Sequence, residues 1–414
     1  MQENNKNILI VGPYPPPFGG ISNHIANFIP DLFKQGFNVF IISYTSKNEL
    51  LKYKNATILK INLKTRICGL LKLNNIYRNI KCFCMLRKYR LSMRDVVREL
   101  VRIDIISNLV NYEKIQLISF YSIVNGYSIP IFKKLFKAKI PLVLTIYATI
   151  YENFYFYSTH LLLTKTMLDM SDKVIASSKY SAKSVELLGL DSSIIEPVYY
   201  GVDLLKFMPE VNKYKIKKEI GIQENRKILL FVGRMLEEMG LDVILNIIPI
   251  ILKERGDVVF IIVGPKGELT PNAYALQEKY ENRAFVRTDI SFDNLPYYYA
   301  ACDILLAPTR GKHASMGMSI KEAMASGRAV IATDAPGIRE AVIHGVTGVL
   351  ITADGDSNIC RNSLCEEILR LLDKPEEVEL LGNNARKRAE ELFDKNFTSK
   401  KMVSIFESLL EKYK

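Results

Sequence analysis

The cysteines are few and scattered. Cys68, Cys82, Cys84, Cys302, Cys360 and Cys365 form no C-x-x-C pair, and the chain holds only four histidines. Structural metal sites and disulfide frameworks announce themselves by close, repeated ligand spacings, so neither is expected, and a reducing cytosol suits these thiols. A membrane-spanning run is missing too. The most hydrophobic segment, Val243–Leu252, is interrupted by Asn246 and Pro249 and falls short of the ~20 apolar residues a bilayer demands. The first residues, Met1-Gln-Glu-Asn-Asn-Lys6, lead directly into a strand pattern, so no signal peptide is expected. The first glycine-bearing loop, Gly12–Gly20, does not follow G-x-G-x-x-G, which removes the dinucleotide fingerprint.

What is present describes a globular protein. With 414 residues, 48% apolar and 24% charged, the chain can bury two or three cores and is too apolar for disorder. Its net charge of +12 is placed unevenly: residues 1–205 carry 26 Lys/Arg against 14 Asp/Glu, and residues 206–414 carry 30 against 30. Within the basic half, residues 64–102 hold 11 Lys/Arg and two acids, Asp95 and Glu99, interleaved with Ile67, Leu70, Leu71, Leu73, Ile76, Phe83, Met85 and Leu86. A basic amphipathic segment can lie on an anionic membrane surface; the plainer account is the solvated face of a basic helix. No nucleic-acid-binding module accompanies the charge, so no nucleic acid is expected as a partner.

Strands and helices alternate along both halves. Asn7–Val11, Phe37–Ser43, Ile115–Phe120, Pro141–Ile146 and Lys173–Ser177 read as short buried strands, with helical stretches over 21–34 and 129–136. Tyr147 follows one strand's carboxyl end, where α/β sheets bind ligands; it could equally pack beneath the aromatic run Tyr151–Tyr157. A polar, lysine-rich stretch up to Arg226 marks a junction. Lys227–Val232 then runs into Gly233-Arg234, and Val258–Val263 into Gly264. Arg234 could clamp a diphosphate with two N–H bonds, or pair on the surface with Glu237 or Glu238. The segment Asp303–Gly327 reads as strand, open loop and short helix, the helix starting near 315–318 and ending at a left-handed Gly327. Ala329–Thr333 follows as a strand. A helix N-terminus after a glycine-bearing loop receives anions, although packing alone explains such a unit equally well. The last helix is expected from about Asn383 to Lys414. The fold class is α/β, with two doubly wound domains.

Several segments match one family in chain order. They are Pro16-Pro-Phe-Gly-Gly20, Tyr200-Gly-Val-Asp203 with Phe207-Met-Pro209, Phe231-Val-Gly-Arg234, Ile262-Val-Gly264, Ala307–Gly327, Pro336-Gly-Ile-Arg-Glu340 and His344-Gly-Val-Thr-Gly348. The chain resembles the retaining glycosyltransferases of family 4, which have the GT-B fold. The resemblance implies two Rossmann-like domains facing across a cleft. Residues 1–205 would bind the acceptor and 206–390 the nucleotide-sugar donor, with a C-terminal helix, 391–414, packing back on the first domain. It further implies a UDP- or GDP-sugar as donor, a glycan or lipid-linked acceptor, retention of configuration, no metal and no cofactor, and docking on the inner face of the plasma membrane. On this basis Arg234 faces the diphosphate and Glu322, the second Glu of an E-x7-E motif, takes the ribose hydroxyls. Gly19, Gly20, Tyr147, Gly264, Ser315, Met316, Gly317, Met318, Ser319 and Ile320 would line the substrates.

Three positions depart from the family pattern. Ala314 replaces the first Glu of the motif, Met239 replaces a lysine after the arginine, and Tyr147 stands where a histidine is frequent. Losing the lysine forfeits a charge-assisted bond of about 1.5–3 kcal/mol; Lys266, Lys312 and Lys321 are candidates to replace it. The leading expectation is a transferase building a surface polysaccharide or glycolipid. A nucleotide-sugar-binding scaffold without turnover, or an epimerase or hydrolase of the same fold, are the alternatives.

Overall fold

In the computed structural model, the described residues are 6–15, 20–44, 48–53, 56–62, 73–89, 91–122, 124–135, 139–147, 161–310, 316–352 and 357–413. They form two compact units, residues 1–198 with 398–414, and residues 199–397.

The first unit is built on an eight-stranded sheet. Its strands are β1 (Lys6–Val11), β2 (Phe37–Tyr44), β3 (Glu49–Tyr53), β4 (Ala56–Ile61), β5 (Leu117–Tyr121), β6 (Leu142–Ile146), β7 (Lys173–Ala176) and β8 (Ile195–Pro197). They lie in the order β3-β4-β2-β1-β5-β6-β7-β8, parallel throughout except for β3 against β4. Every residue of β5 and β6 is buried, because a parallel sheet with helices on both faces needs apolar side chains on both. Alternation divides the cores. Leu9 and Val11 of β1 join the cluster that includes Leu100, Ile106 and Met167. Ile8 and Ile10 join the opposite one, with Ile25 and Phe28 of the Gly20–Lys34 helix.

That second face is completed from the chain's end. Met402, Val403, Phe406 and Leu409 belong to the same cluster, and the Phe406 ring meets Phe28 edge-on at 6.0 Å. Lys401 pairs with Glu196 at 2.6 Å, and Ser399 Oγ donates to Asp31 at 2.7 Å. The single long terminal helix read from the sequence is two helices, Pro375–Leu392 and Lys395–Lys412. Val202 causes the break: its N–H donates to Phe393 O at 2.7 Å and its carbonyl accepts from Lys395 N at 3.1 Å. Those two groups are therefore diverted from a continuous helical ladder.

The second unit carries six parallel strands, β9 (Lys227–Val232), β10 (Val258–Val263), β11 (Ala284–Arg287), β12 (Ile304–Ala307), β13 (Ala329–Thr333) and β14 (Val349–Ile351), ordered β11-β10-β9-β12-β13-β14. Ile228 and Leu230 face one core, Leu229 and Phe231 the other. Its fold is a doubly wound α/β sheet. Among the described residues no helix is long and apolar enough to cross a membrane.

Candidate functional site

In the second unit the strand order reverses between β9 and β12. In open α/β sheets, ligands bind beyond the carboxyl ends of the strands at such a reversal. Gly233-Arg234 stands there after β9, Gly264 after β10 and Pro308–Arg310 after β12. Two of these loops approach each other backbone to backbone. Gly233 N–H donates to Val263 O and Gly264 N–H to Arg287 O, both at 3.0 Å. A Cβ on Gly264 would lie 1.8 Å from Gly233 O, and its φ is +153°. Only glycine lets the two strand ends come this close.

Arg234 sits on this edge with its side chain 57% exposed, and its guanidinium lies 3.6 Å from the Glu238 carboxylate. The surface ion pair foreseen for it thus exists, but a pair this exposed contributes little and leaves the guanidinium available to a stronger anion. The helix after β12 spans Met318–Ala325. Gly317 precedes it at a positive φ of +66° and, as a glycine, brings no side chain of its own to the helix's first N–H groups. Gly317 is exposed, Met318 and Ser319 are half-buried, and Met316 and Ile320 pack into the core. Gly19, Ala314 and Ser315 lie outside the described residues, as does Lys312. At the far end Gly327 has φ +68°, and Arg328 N–H reaches back to Ala323 O at 2.9 Å, the left-handed stop its sequence called for.

Glu322 is almost buried. Its Oε2 accepts the Tyr299 hydroxyl at 2.7 Å, and burial pushes its carboxyl up to about 7 against the opposing pull of Tyr299 and Lys321. The same burial raises the Tyr299 hydroxyl well above its ordinary value, so it remains a neutral donor. Lys321 is buried as well. Its Nζ donates to Tyr200 O at 2.6 Å, and burial lowers its ammonium to about 7. Lys321 is therefore spent on the fold and is no substitute for the lysine missing at Met239. Lys266, in the loop after β10, is exposed. Among the described residues no group of three or more His, Cys, Asp or Glu could hold a metal ion.

In the first unit the order reverses between β1 and β5. Gly20 opens the helix that follows β1, and Tyr147 follows β6 half-buried, its ring 6.2 Å from that of Tyr121 at the end of β5. His24, one turn into that helix, was not singled out from the sequence. It is buried, stacks on Phe28 at 6.2 Å and lies 6.0 Å from the Tyr121 ring. Its spacing of four residues from Gly20 was the available signal, since that brings it to the same end of the sheet.

The comparisons agree with this architecture. A family model described as Glycosyltransferase Family 4 matches residues 18–205, and one described as Glycosyl transferases group 1 matches residues 226–374. A D-inositol 3-phosphate glycosyltransferase of Thermobispora bispora is 29% identical over 59% of this chain, a match that spans 58% of the relative's own length. The lipopolysaccharide core biosynthesis mannosyltransferase LpsB of Rhizobium meliloti is 25% identical, over 60% of this chain and 68% of its own. Among solved structures, Anabaena HepE in complex with UDP-glucose superposes with a TM-score of 0.69 at 20% identity, covering 97% of this chain and 99% of HepE. Paired parallel sheets, the matching motifs and two family models across most of the sequence place this chain among the group 1 glycosyltransferases of family 4, with the GT-B fold.

Proposed function

We propose that this protein transfers a sugar from a UDP- or GDP-sugar to a glycan or lipid-linked acceptor in surface polysaccharide or glycolipid synthesis, with retention of configuration and without a metal. One observation carries the reading: the anion-receptive edge of the second unit. There Arg234, the close-packed Gly233 and Gly264, and the Gly317-led N-terminus of the Met318–Ala325 helix stand at the sheet's reversal. The leaving group of such a reaction is a nucleoside diphosphate, and fixed positive charge and N–H dipoles are what stabilise its developing charge. Glu322 lies on the same helix and is assigned the ribose hydroxyls. That HepE is solved with UDP-glucose, and that LpsB is a mannosyltransferase of lipopolysaccharide core synthesis, supports the choice of donor and product class.

Metal-independent turnover is checked by following release of UDP or GDP from a panel of nucleotide sugars with EDTA present. Arg234→Ala is expected to lower the rate at least ten- to a hundredfold, the value of a charge-assisted bond of about 1.5–3 kcal/mol. Glu322→Gln should lower it as well, while keeping an acceptor for Tyr299. Wild-type rates in both variants would disprove the site. The scaffold reading is favoured by Met239 and Ala314, each of which removes a charged group the family pattern supplies. It predicts nucleotide binding without turnover on any donor.

The acceptor side adds a membrane component to the proposal. On the Leu73–Arg87 helix, Tyr77 and Ile80 are 71% and 56% exposed, beside exposed Lys81, Cys84 and Arg87. Some of the basic segment is used internally, since Arg78 pairs with Asp104 and Arg102 with buried Glu99. Tyr77, Ile80, Lys81 and Arg87 form an apolar and cationic face suited to anionic headgroups. The chain should co-sediment with vesicles containing phosphatidylserine and not with pure phosphatidylcholine. Tyr77→Ser with Ile80→Ser should reduce the bound fraction several-fold; equal binding to both vesicle types would remove this component.

A further inference from the structure

We propose that Arg310 gives the donor diphosphate its second positive contact, in place of the lysine that Met239 displaces. The assignment rests on the donor-site reading above and names a residue that the sequence left as loop. Met239 ends the short turn Glu237–Met239 and is half-buried against the core on one face of the sheet. The segment after β12 is fastened to this turn. Arg310 N–H donates to Glu238 O at 3.0 Å. A Cβ on Gly240, which has φ +77°, would lie 1.9 Å from Pro308 O. On its other side the segment is held by Thr333, whose hydroxyl donates to Thr309 O at 2.7 Å.

The side chain is held in the same way. The Arg310 guanidinium pairs through Nη2 with Asp242 Oδ2, in the first turn of the Leu241–Glu254 helix. Asp242 is largely buried, its side chain 14% exposed, whereas that of Arg310 is 39% exposed. A guanidinium has five N–H donors in a planar fork, so one Nη on a carboxylate leaves other donors for a phosphate oxygen. Arg234 and Arg310 thus make contacts to one turn: Arg234 through the Glu238 carboxylate, Arg310 through the Glu238 carbonyl. Position 239 is the next residue of that turn. The other candidate cations fit less well: Lys321 is buried on Tyr200 O, and Lys266 follows β10 rather than β12.

The test is calorimetry of the full chain with UDP, GDP and ADP, each beside its nucleoside. Arg310→Ala should weaken the diphosphate that binds by ten- to a hundredfold and change nucleoside affinity less than twofold. Adding Met239→Lys to Arg310→Ala should restore at least fivefold, because it returns a cation to the same turn. Asp242→Asn should lose less than Arg310→Ala, since the guanidinium remains. If Arg234→Ala loses diphosphate affinity and Arg310→Ala does not, the Arg310 assignment falls and the donor site stands. If Asp242→Asn costs as much as Arg310→Ala, or nucleoside and diphosphate weaken alike, Arg310 is a loop clamp and the assignment falls. If the unaltered chain binds none of the three diphosphates, the donor-site reading fails and takes the Arg310 assignment with it.

Discussion

Gly264→Ala is expected to destabilise the second unit by about 3 kcal/mol or more and to remove nucleotide binding with it. The added Cβ would meet Gly233 O at 1.8 Å and Gly233 C at 2.7 Å. Both are backbone atoms, so no side chain can rotate out of the way. The residue's φ of +153° adds strain for any L side chain. Relief requires one strand end to move, yet Gly233 is tied to Val263 O and Gly264 to Arg287 O. If the Gly233 end moves, Arg234 moves with it, because it follows Gly233 directly; if the Gly264 end moves, the bond between Gly233 N–H and Val263 O is disturbed. In a unit of this size, 3 kcal/mol corresponds to a fall in Tm of roughly 6–12 °C. Gly256→Ala is the control: an added Cβ there meets nothing within 4 Å, so its effect should stay within about 0.5 kcal/mol. A Gly264→Ala protein that melts within a degree of the parent and still binds UDP would show that this close approach is not needed.

The sheets could be read from the sequence because their strands are buried on both faces. Lys227–Val232 and Val258–Val263 are near-continuous apolar runs, as a parallel sheet flanked by helices requires. Gly327 marked its helix end for a reason local to the backbone. The edge pair β3 and β4 was missed, since Glu49-Leu-Leu-Lys-Tyr53 is short and polar at both ends. The terminal helix was misread because its break is made by Val202, nearly two hundred residues away. The same limit applies within the site. Arg234 and the helix N-terminus could be placed from the strand–loop–helix pattern. Nothing near Lys321 or Glu322 in sequence shows that one is anchored on Tyr200 and the other on Tyr299. Arg310 was hidden for a further reason: its neighbour across the loop, the Glu237–Gly240 turn, belongs to a different βα unit.

Glu322→Ala should cost about 3–5 kcal/mol, far more than its place in an eight-residue helix implies. The change leaves the fully buried Tyr299 hydroxyl without its acceptor, opens a cavity and takes the nearby negative charge from buried Lys321. Glu322→Gln keeps the volume and the acceptor, so it isolates the charge. The carboxyl's value of about 7 in the fold lies above its ordinary 4.5. Its contribution is therefore complete below pH 4.5 and is lost as pH rises through 7. Lys321 behaves oppositely. Its folded value, about 7, lies below the ordinary 10.5, so its contribution is complete above 10.5 and is lost as pH falls through 7. Together they give the second unit a stability minimum near neutrality. Glu322→Gln should abolish the decline between pH 4.5 and 7, an effect of up to about 3 kcal/mol, and leave the rise above pH 7. Denaturant unfolding across pH 4.5–9 reads both limbs; a parent curve without the lower limb would reject the buried charge. The same titration bears on the ribose. An ionised carboxylate accepts hydroxyls more strongly than a protonated one, so UDP affinity should increase from pH 6 to pH 8 more steeply in the parent than in Glu322→Gln, which retains only the rise from the terminal phosphate's own ionisation. If the two profiles coincide, Glu322 is a structural partner of Tyr299 and does not touch the nucleotide.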